Sequence, residues 1–337
     1  MKAVATQNGQ ILLAELDKPT PGEGHVLVRT EYSAISPGTE IGCVKLANAQ
    51  QAVLGYSAVG VVEALGEGVQ GLNVGDRIAC YGAPYVKHAE WLAVPANLTA
   101  VVPDGVDPRE AAFVGLGAIA IHALRTADLR FGESAVVVGL GTLGNLIVQI
   151  ARAGAYRTAG FDMNRERVEM LRSQDMRHMF GSREELERGL EDAVGAGGAD
   201  AVLVCASGRG EELINSSLQW IRDRGKVVIV GDVTMEFSRE LMFRREAQVL
   251  ISRAGGPGRY DRQYEKENRD YPYGFVRWTE GRNIGEYIRL LAEGHISMKP
   301  LITHEYSLEQ AATAYDNYLK PSGAIATLFR HHDILPQ

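Results

Sequence analysis

The chain has 337 residues, 45% of them hydrophobic and 23% charged, with a formal net charge of −7. That size suits two domains with cores of their own, and the negative balance without a basic run argues against a nucleic-acid partner. No apolar stretch reaches membrane-spanning length, and the three cysteines, Cys43, Cys80 and Cys205, lie too far apart for a disulfide framework or a Cys-x-x-Cys zinc knot. The opening Met1–Gln7 is too polar for a secretory leader, so a cytoplasmic location is expected.

Residues 1 to about 120 alternate short apolar runs with Gly and Pro turns. Such runs are His25–Thr30, Ala58–Leu65 and Glu90–Val94, with a turn and strand over Gly71–Ile78. The spacing predicts a small β-barrel. From about 134 the rhythm becomes strand then helix. Val136–Val138 reads as a buried strand, Leu143–Ala153 as a helix and Thr158–Asp162 as the next strand. Helices follow over Arg165–Gln174, Arg183–Val194 and Glu211–Trp220, with buried strands over Ala201–Ala206 and Lys226–Val230. This alternation predicts a doubly wound parallel sheet. Tyr260–Trp278 then interleaves Tyr260, Tyr264, Tyr271, Tyr273, Phe275 and Trp278 with charge, which suits a polar ring-shaped ligand or a subunit contact. Tyr273 and Trp278 are its candidate substrate contacts. Helices over Ile284–Glu293 and Leu308–Leu319 and a strand over Ala324–Phe329 complete the chain, and His331-His332 reads as a solvated tail.

The strongest chemical signal is Gly139-Leu140-Gly141-Thr142-Leu143-Gly144, a G-x-G-x-x-G turn between strand and helix, with Asp162 eighteen residues beyond its last glycine. The first glycine permits the tight turn, the second a close approach to a pyrophosphate, and the third close helix–strand packing. The helix start offers backbone N–H groups, Thr142 and Leu143 among them, and a positive dipole end. Asp162 can accept ribose hydroxyls and repel a 2′-phosphate, which favours NAD(H), although Arg165 and Arg167 stand near enough to reach a phosphate. Ala206 and Gly231, after the next two parallel strands, complete the expected cofactor set.

The order of barrel, glycine fingerprint and return to the barrel resembles the medium-chain dehydrogenase/reductase superfamily. The resemblance spans essentially the whole chain. It rests on the Gly22 region, Gly55…Gly60-Val61-Val62, Val74-Gly75-Asp76-Arg77-Ile78, Ala111-Ala112 and the fingerprint. It implies an α/β fold: a Rossmann domain, here placed at 123–260, and a chaperonin-10-like catalytic barrel at 1–122. Residues 261–337 would form the aromatic segment and the return to the catalytic domain. It also implies a homo-oligomer, a dimer or tetramer. Zinc members carry Cys-Gly-Thr-Asp and Gly-His-Glu motifs, where this chain has Pro37-Gly38-Thr39-Glu40 and Gly55-Tyr56-Ser57. Pro, Tyr and Ser cannot rebuild a tetrahedral N/S site, so no zinc is expected. Ser33–Glu40, Lys87–Trp91, Gly117–Ala120 and Pro257–Glu280 resemble a branch from polysaccharide and natural-product sugar pathways.

Without a metal, side chains must move the substrate proton. The resemblance matches Thr39 to the hydroxyl of the zinc enzymes' proton relay and puts His88 on a strand lining the substrate cleft. Tyr56 takes a metal ligand's place as a hydroxyl donor, Glu40 would orient the relay, and Ser36 and Ser57 would contact substrate. The expected activity is NAD-dependent hydride transfer to or from a secondary alcohol or ketone of a polyol, sugar, sugar nucleotide or cyclitol. An NADPH-dependent quinone or enoyl reductase and a non-catalytic NAD-binding redox sensor are the competing expectations.

Overall fold

The computed structural model describes residues 1–46, 48–320 and 323–331. The chain divides into two compact units, one running from Met1 to Ala118 and again from Gly255 onward, the other from Ile119 to Ala254.

The first unit is β-rich. It opens with β1 (Lys2–Gln7), β2 (Gln10–Glu15), β3 (His25–Ala34) and, past a helix α1 (Pro37–Lys45), β4 (Ala52–Val53). Strands β5 (Ser57–Leu65), β6 (Arg77–Tyr81), β7 (Trp91–Pro95) and β8 (Thr99–Val101) follow, then α2 (Pro108–Ala111) and α3 (Val114–Ala127), whose far end enters the second unit. β1 pairs with β2 and β4. β3 pairs antiparallel with both β5 and β7, and β5 continues to β6 and β8. The inward faces of β3, β5, β6 and β7 supply Val26, Val28, Ala58, Val62, Ile78 and Leu92 to one core, the alternation expected of a half-buried strand.

The second unit is a parallel sheet. In chain order it has β9 (Ser134–Val138), α4 (Thr142–Ala153), β10 (Arg157–Phe161), α5 (Arg165–Ser173), β11 (Met179–Phe180) and α6 (Arg183–Val194). There follow β12 (Ala199–Val204), α7 (Gly210–Trp220), β13 (Ile221–Ile229), α8 (Arg239–Arg245) and β14 (Gln248–Ile251). The strand order is β11-β10-β9-β12-β13-β14, so the sheet grows both ways from β9. All five residues of β9 are buried, because a parallel strand is covered on both faces and reads as a continuous apolar run. Caps set the helix starts: the Asn164 side chain accepts from the Glu166 and Arg167 amides, and Ser182 from the Glu185 amide.

The chain then re-enters the first unit through α9 (Arg262–Glu265), α10 (Glu280–Ala292), β15 (Ile302–Ser307), α11 (Ala311–Leu319) and β16 (Ala326–Arg330). β16 pairs with β3, which ties the end of the chain to its beginning. Two details differ from the sequence reading. β13 runs five residues earlier than expected, through a register shift opposite Ala199. Cys205 lies just past β12 and is only half-buried.

Candidate functional site

Two groups of candidate residues emerge, one in each unit. In the parallel unit, β9 ends at Val138 and the chain turns through Gly139, whose φ is +90°. A Cβ at Gly144 would lie 1.8 Å from the Gly139 carbonyl oxygen, a separation only hydrogen tolerates, so strand and helix approach as closely as backbones can. Gly141 caps α4 without a side-chain bond, which leaves the amides of Thr142, Leu143 and Gly144 facing the turn. A helix start of this kind, capped by a glycine, suits an anion.

Asp162 follows β10. Its Oδ2 accepts from the Leu140 amide at 2.7 Å and from Arg167 Nη1 at 3.2 Å, and its Oδ1 accepts from the Asn164 amide at 2.8 Å. A carboxylate has about four acceptor positions, so Oδ1 keeps one for a hydroxyl. Gly231 sits past β13, where a Cβ would lie 2.1 Å from the Ala206 carbonyl oxygen. Gly139, Asp162, Ala206 and Gly231 thus gather at the carboxyl ends of β9, β10, β12 and β13. There β9 is flanked by β10 and β12, the switch point at which open α/β sheets bind ligands.

In the β-rich unit, the Tyr56 hydroxyl donates to Ser36 Oγ at 2.5 Å and lies within hydrogen-bond reach of the Thr39 hydroxyl. Burial pushes the Tyr56 phenol up to about 12, against the lowering effect of the Ser36 and Thr39 bonds. It is therefore a neutral donor at pH 7. Thr39 is exposed on the first turn of α1, whereas Glu40, the next residue, is 2% exposed and turned inward.

Glu40 Oε1 accepts from the Ser36 amide at 2.7 Å. Its Oε2 faces His88 Nε2 at 2.9 Å and accepts from the Tyr315 hydroxyl. His88 is fully buried, edge-on to Phe329. Its Nδ1 lies 2.7 Å from Ser33 Oγ, which in turn lies 2.7 Å from His331 Nε2. Nε2 of His88 carries the hydrogen that it directs at the Glu40 carboxylate, and Ser33 Oγ links Nδ1 of His88 to Nε2 of His331. Gly55 makes room for this ring. A Cβ there would meet the His88 amide at 2.6 Å and its ring at 2.8 Å.

Sequence reasoning named Glu40 and His88 but not Ser33, Tyr315 or His331. His331 was expected to be solvated, yet β16 carries it back beside β3, where it is buried; His332 lies outside the described residues. Tyr315 and His331 come from 275 and 298 residues beyond their partners Glu40 and Ser33, so no local pattern announces them.

The other predicted substrate contacts have partners of their own. Ser57 Oγ donates to the Ala112 carbonyl at 2.6 Å and accepts from the Gly115 amide at 2.8 Å, which brackets β5 to the residues around α2 and α3. Tyr273 and Trp278 gather around Arg277, whose guanidinium lies 4.7 Å and 3.7 Å from their ring centres. Among the described residues no group of three His, Cys, Asp or Glu side chains is arranged to hold a metal ion.

Comparison with known proteins follows the same division. The family model "Alcohol dehydrogenase GroES-like domain" matches residues 22–127, and "Zinc-binding dehydrogenase" matches residues 142–266. The chain is 25% identical to a sorbitol dehydrogenase of Halalkalibacterium halodurans, over 97% of this chain and 98% of the relative. It is 26% identical to a D-xylulose reductase of Saccharomyces cerevisiae, over 78% of this chain and 77% of the relative. In fold it is similar to the crystal structure of galactitol-1-phosphate dehydrogenase from Escherichia coli. The TM-score is 0.81 at 20% identity, covering 98% of this chain and all of that one.

Proposed function

This chain belongs to the medium-chain dehydrogenase/reductase superfamily, and from that premise we propose that it is an NAD(H)-dependent oxidoreductase acting without zinc. It interconverts a secondary alcohol and a ketone on a polyol, sugar, sugar nucleotide or cyclitol. The similarity to dehydrogenases and reductases named for sorbitol and xylulose supports the substrate class. The observation that carries the reading is the Tyr56–Ser36–Thr39 hydroxyl cluster, standing where zinc relatives are expected to hold their metal.

The donor set does not fit zinc. The Pro37 side chain has no donor atom, Ser57 Oγ is engaged by Ala112 and Gly115, and Tyr56 is a neutral phenol bound to Ser36. The glycine turn does fit a dinucleotide. The amides of Thr142, Leu143 and Gly144 would hold its pyrophosphate, and the open position on Asp162 Oδ1 a ribose hydroxyl. Nicotinamide, when bound, supplies or accepts the hydride. In reduction, Tyr56 donates its proton to the forming alkoxide and Ser36 and Thr39 hold the phenol oxygen. Oxidation runs the step backwards and requires Tyr56 first to release its own proton to solvent, so the raised phenol makes oxidation faster at alkaline pH. Glu40 does not touch the phenol; it fixes the Ser36 amide, and His88 and Tyr315 hold Glu40 in turn.

Oxidation of a polyol and cyclitol panel by the purified protein with NAD⁺, run beside Tyr56→Phe, tests this. Turnover that is lost in Tyr56→Phe while NADH binding persists supports the reading. Reduction of quinones with NADPH, or unchanged turnover in Tyr56→Phe, contradicts it.

A further inference from the structure

Glu280, at the first position of α10, is fully buried, and among the described residues neither of its carboxyl oxygens has a hydrogen-bond partner. Its amide donates to the Pro257 carbonyl at 2.8 Å, so the residue is fixed in place. It is packed against β6: a Cβ added at Gly255 would strike Tyr81 at 2.7 Å and Glu280 at 3.2 Å. Its carboxyl interacts with a second carboxyl, that of Glu265. Two carboxylates have no hydrogen to share, so a hydrogen bond between them needs a proton on one.

Glu265 is the one already supplied with donors. It accepts from Arg259 Nη1 and, at 3.0 Å, from the Tyr260 amide. Arg259, 8% exposed, also donates to the Ala83 carbonyl at 2.7 Å. One guanidinium facing two ionised carboxylates would leave a net buried charge, and one proton removes it.

We propose that Glu280 is a neutral carboxylic acid that donates to the Glu265 carboxylate, and that this acid pair is a positioning device holding Arg259 against the rings of Tyr260 and of Tyr81, the neighbour of Tyr56. The guanidinium lies 4.2 Å from the Tyr260 ring centre and 5.9 Å from that of Tyr81, and Tyr81 meets Tyr56 edge-on at 5.6 Å. Tyr260 has a φ of +67°, a strained conformation for a tyrosine, which its amide bond to Glu265 helps hold. The pair thus sets both the guanidinium and the strained backbone beside it. Its consequence for catalysis rests on Tyr56 as the proton donor; the pair itself does not.

The titratable neighbours facing Glu280 are Arg259, Glu265, Tyr81, Tyr85, Tyr264 and Tyr271. Burial, opposed by Arg259 and reinforced by Glu265, pushes the Glu280 carboxyl up to about 9. A folded-state value above the unfolded one gives stability that is complete below about pH 4.5 and is lost as pH rises toward 9.

Infrared spectra of wild type minus Glu280→Gln, taken without cofactor or substrate, test the proposal. A protonated-carboxyl C=O stretch present at pH 7 and gone by pH 10 is expected. Relative to Glu280→Gln, wild type should lose about 2 °C of Tm per pH unit from about pH 5 to 9. Glu265→Gln, whose amide can donate to Glu280, should move disappearance of the band at least two pH units lower. Absence of the band from wild type at pH 7, or a band unchanged in Glu265→Gln, overturns the pair. Should Glu280→Gln fail to fold, the wild-type and Glu265→Gln pH titrations decide alone. A missing band leaves the proposed activity standing, and an inactive enzyme with the band intact leaves the pair standing.

Discussion

Tyr56 differs from an ordinary surface tyrosine in one respect that matters for chemistry: burial holds its phenol near 12, so the proton stays on until it is needed. Removing the hydroxyl in Tyr56→Phe is expected to lower kcat by about 10²-fold or more, the usual contribution of a positioned acid, with the NADH dissociation constant changed less than about twofold. The reductive rate of wild type should show no loss from Tyr56 up to about pH 10, because a group raised to about 12 is still protonated there. A stopped-flow pH profile checks this, and a limb below pH 8 that vanishes in Tyr56→Phe would contradict it. Thr39→Val keeps the shape and removes the hydroxyl, so turnover should fall without loss of cofactor binding. His88→Ala acts differently. It takes a hydrogen-bond donor from the buried Glu40 carboxylate, a loss of about 1–3 kcal/mol or more; urea unfolding should show this as a lower midpoint with an unchanged slope.

At the scale of elements, the β9–α4 turn is the one most intolerant of change. Gly144→Ala would place a methyl carbon 1.8 Å from the Gly139 carbonyl oxygen, so α4 must move away from β9. Loss of NADH binding, measured by fluorescence titration, is the expected result. Asp162→Ala removes an acceptor and also releases Arg167, whose Nη1 now lies on that carboxylate. NADH should bind more weakly and NADPH more strongly, since a freed guanidinium can meet a 2′-phosphate; an unchanged ratio would remove Asp162 from the ribose site. These parallel-sheet elements were legible in the sequence because strands covered on both faces read as apolar runs such as Val136–Val138, alternating with helical stretches. Helix α1 was not, because its inward residues are Glu40 and Val44 rather than an apolar stripe.

Across the whole molecule, the sequence carried the division into a β-rich part and a parallel-sheet part, and resemblance directed attention to residues 36–40 and 56–57. What it could not carry is the return of the chain. β16 pairs with β3 and α11 presents Tyr315 to Glu40, so the support behind Tyr56 is assembled from both ends of the sequence. The buried acid Glu280 was equally silent, since a glutamate opening a helix ordinarily signals a solvated first turn. The central proposal is that the Tyr56, Ser36 and Thr39 hydroxyls move the substrate proton without a metal. The most direct measurement is NAD⁺-dependent polyol oxidation by protein stripped with a chelator, with zinc content determined on the same sample. The account predicts undiminished turnover with far less than one zinc per chain, and no gain on adding zinc. Turnover lost on stripping and restored by stoichiometric zinc would contradict it.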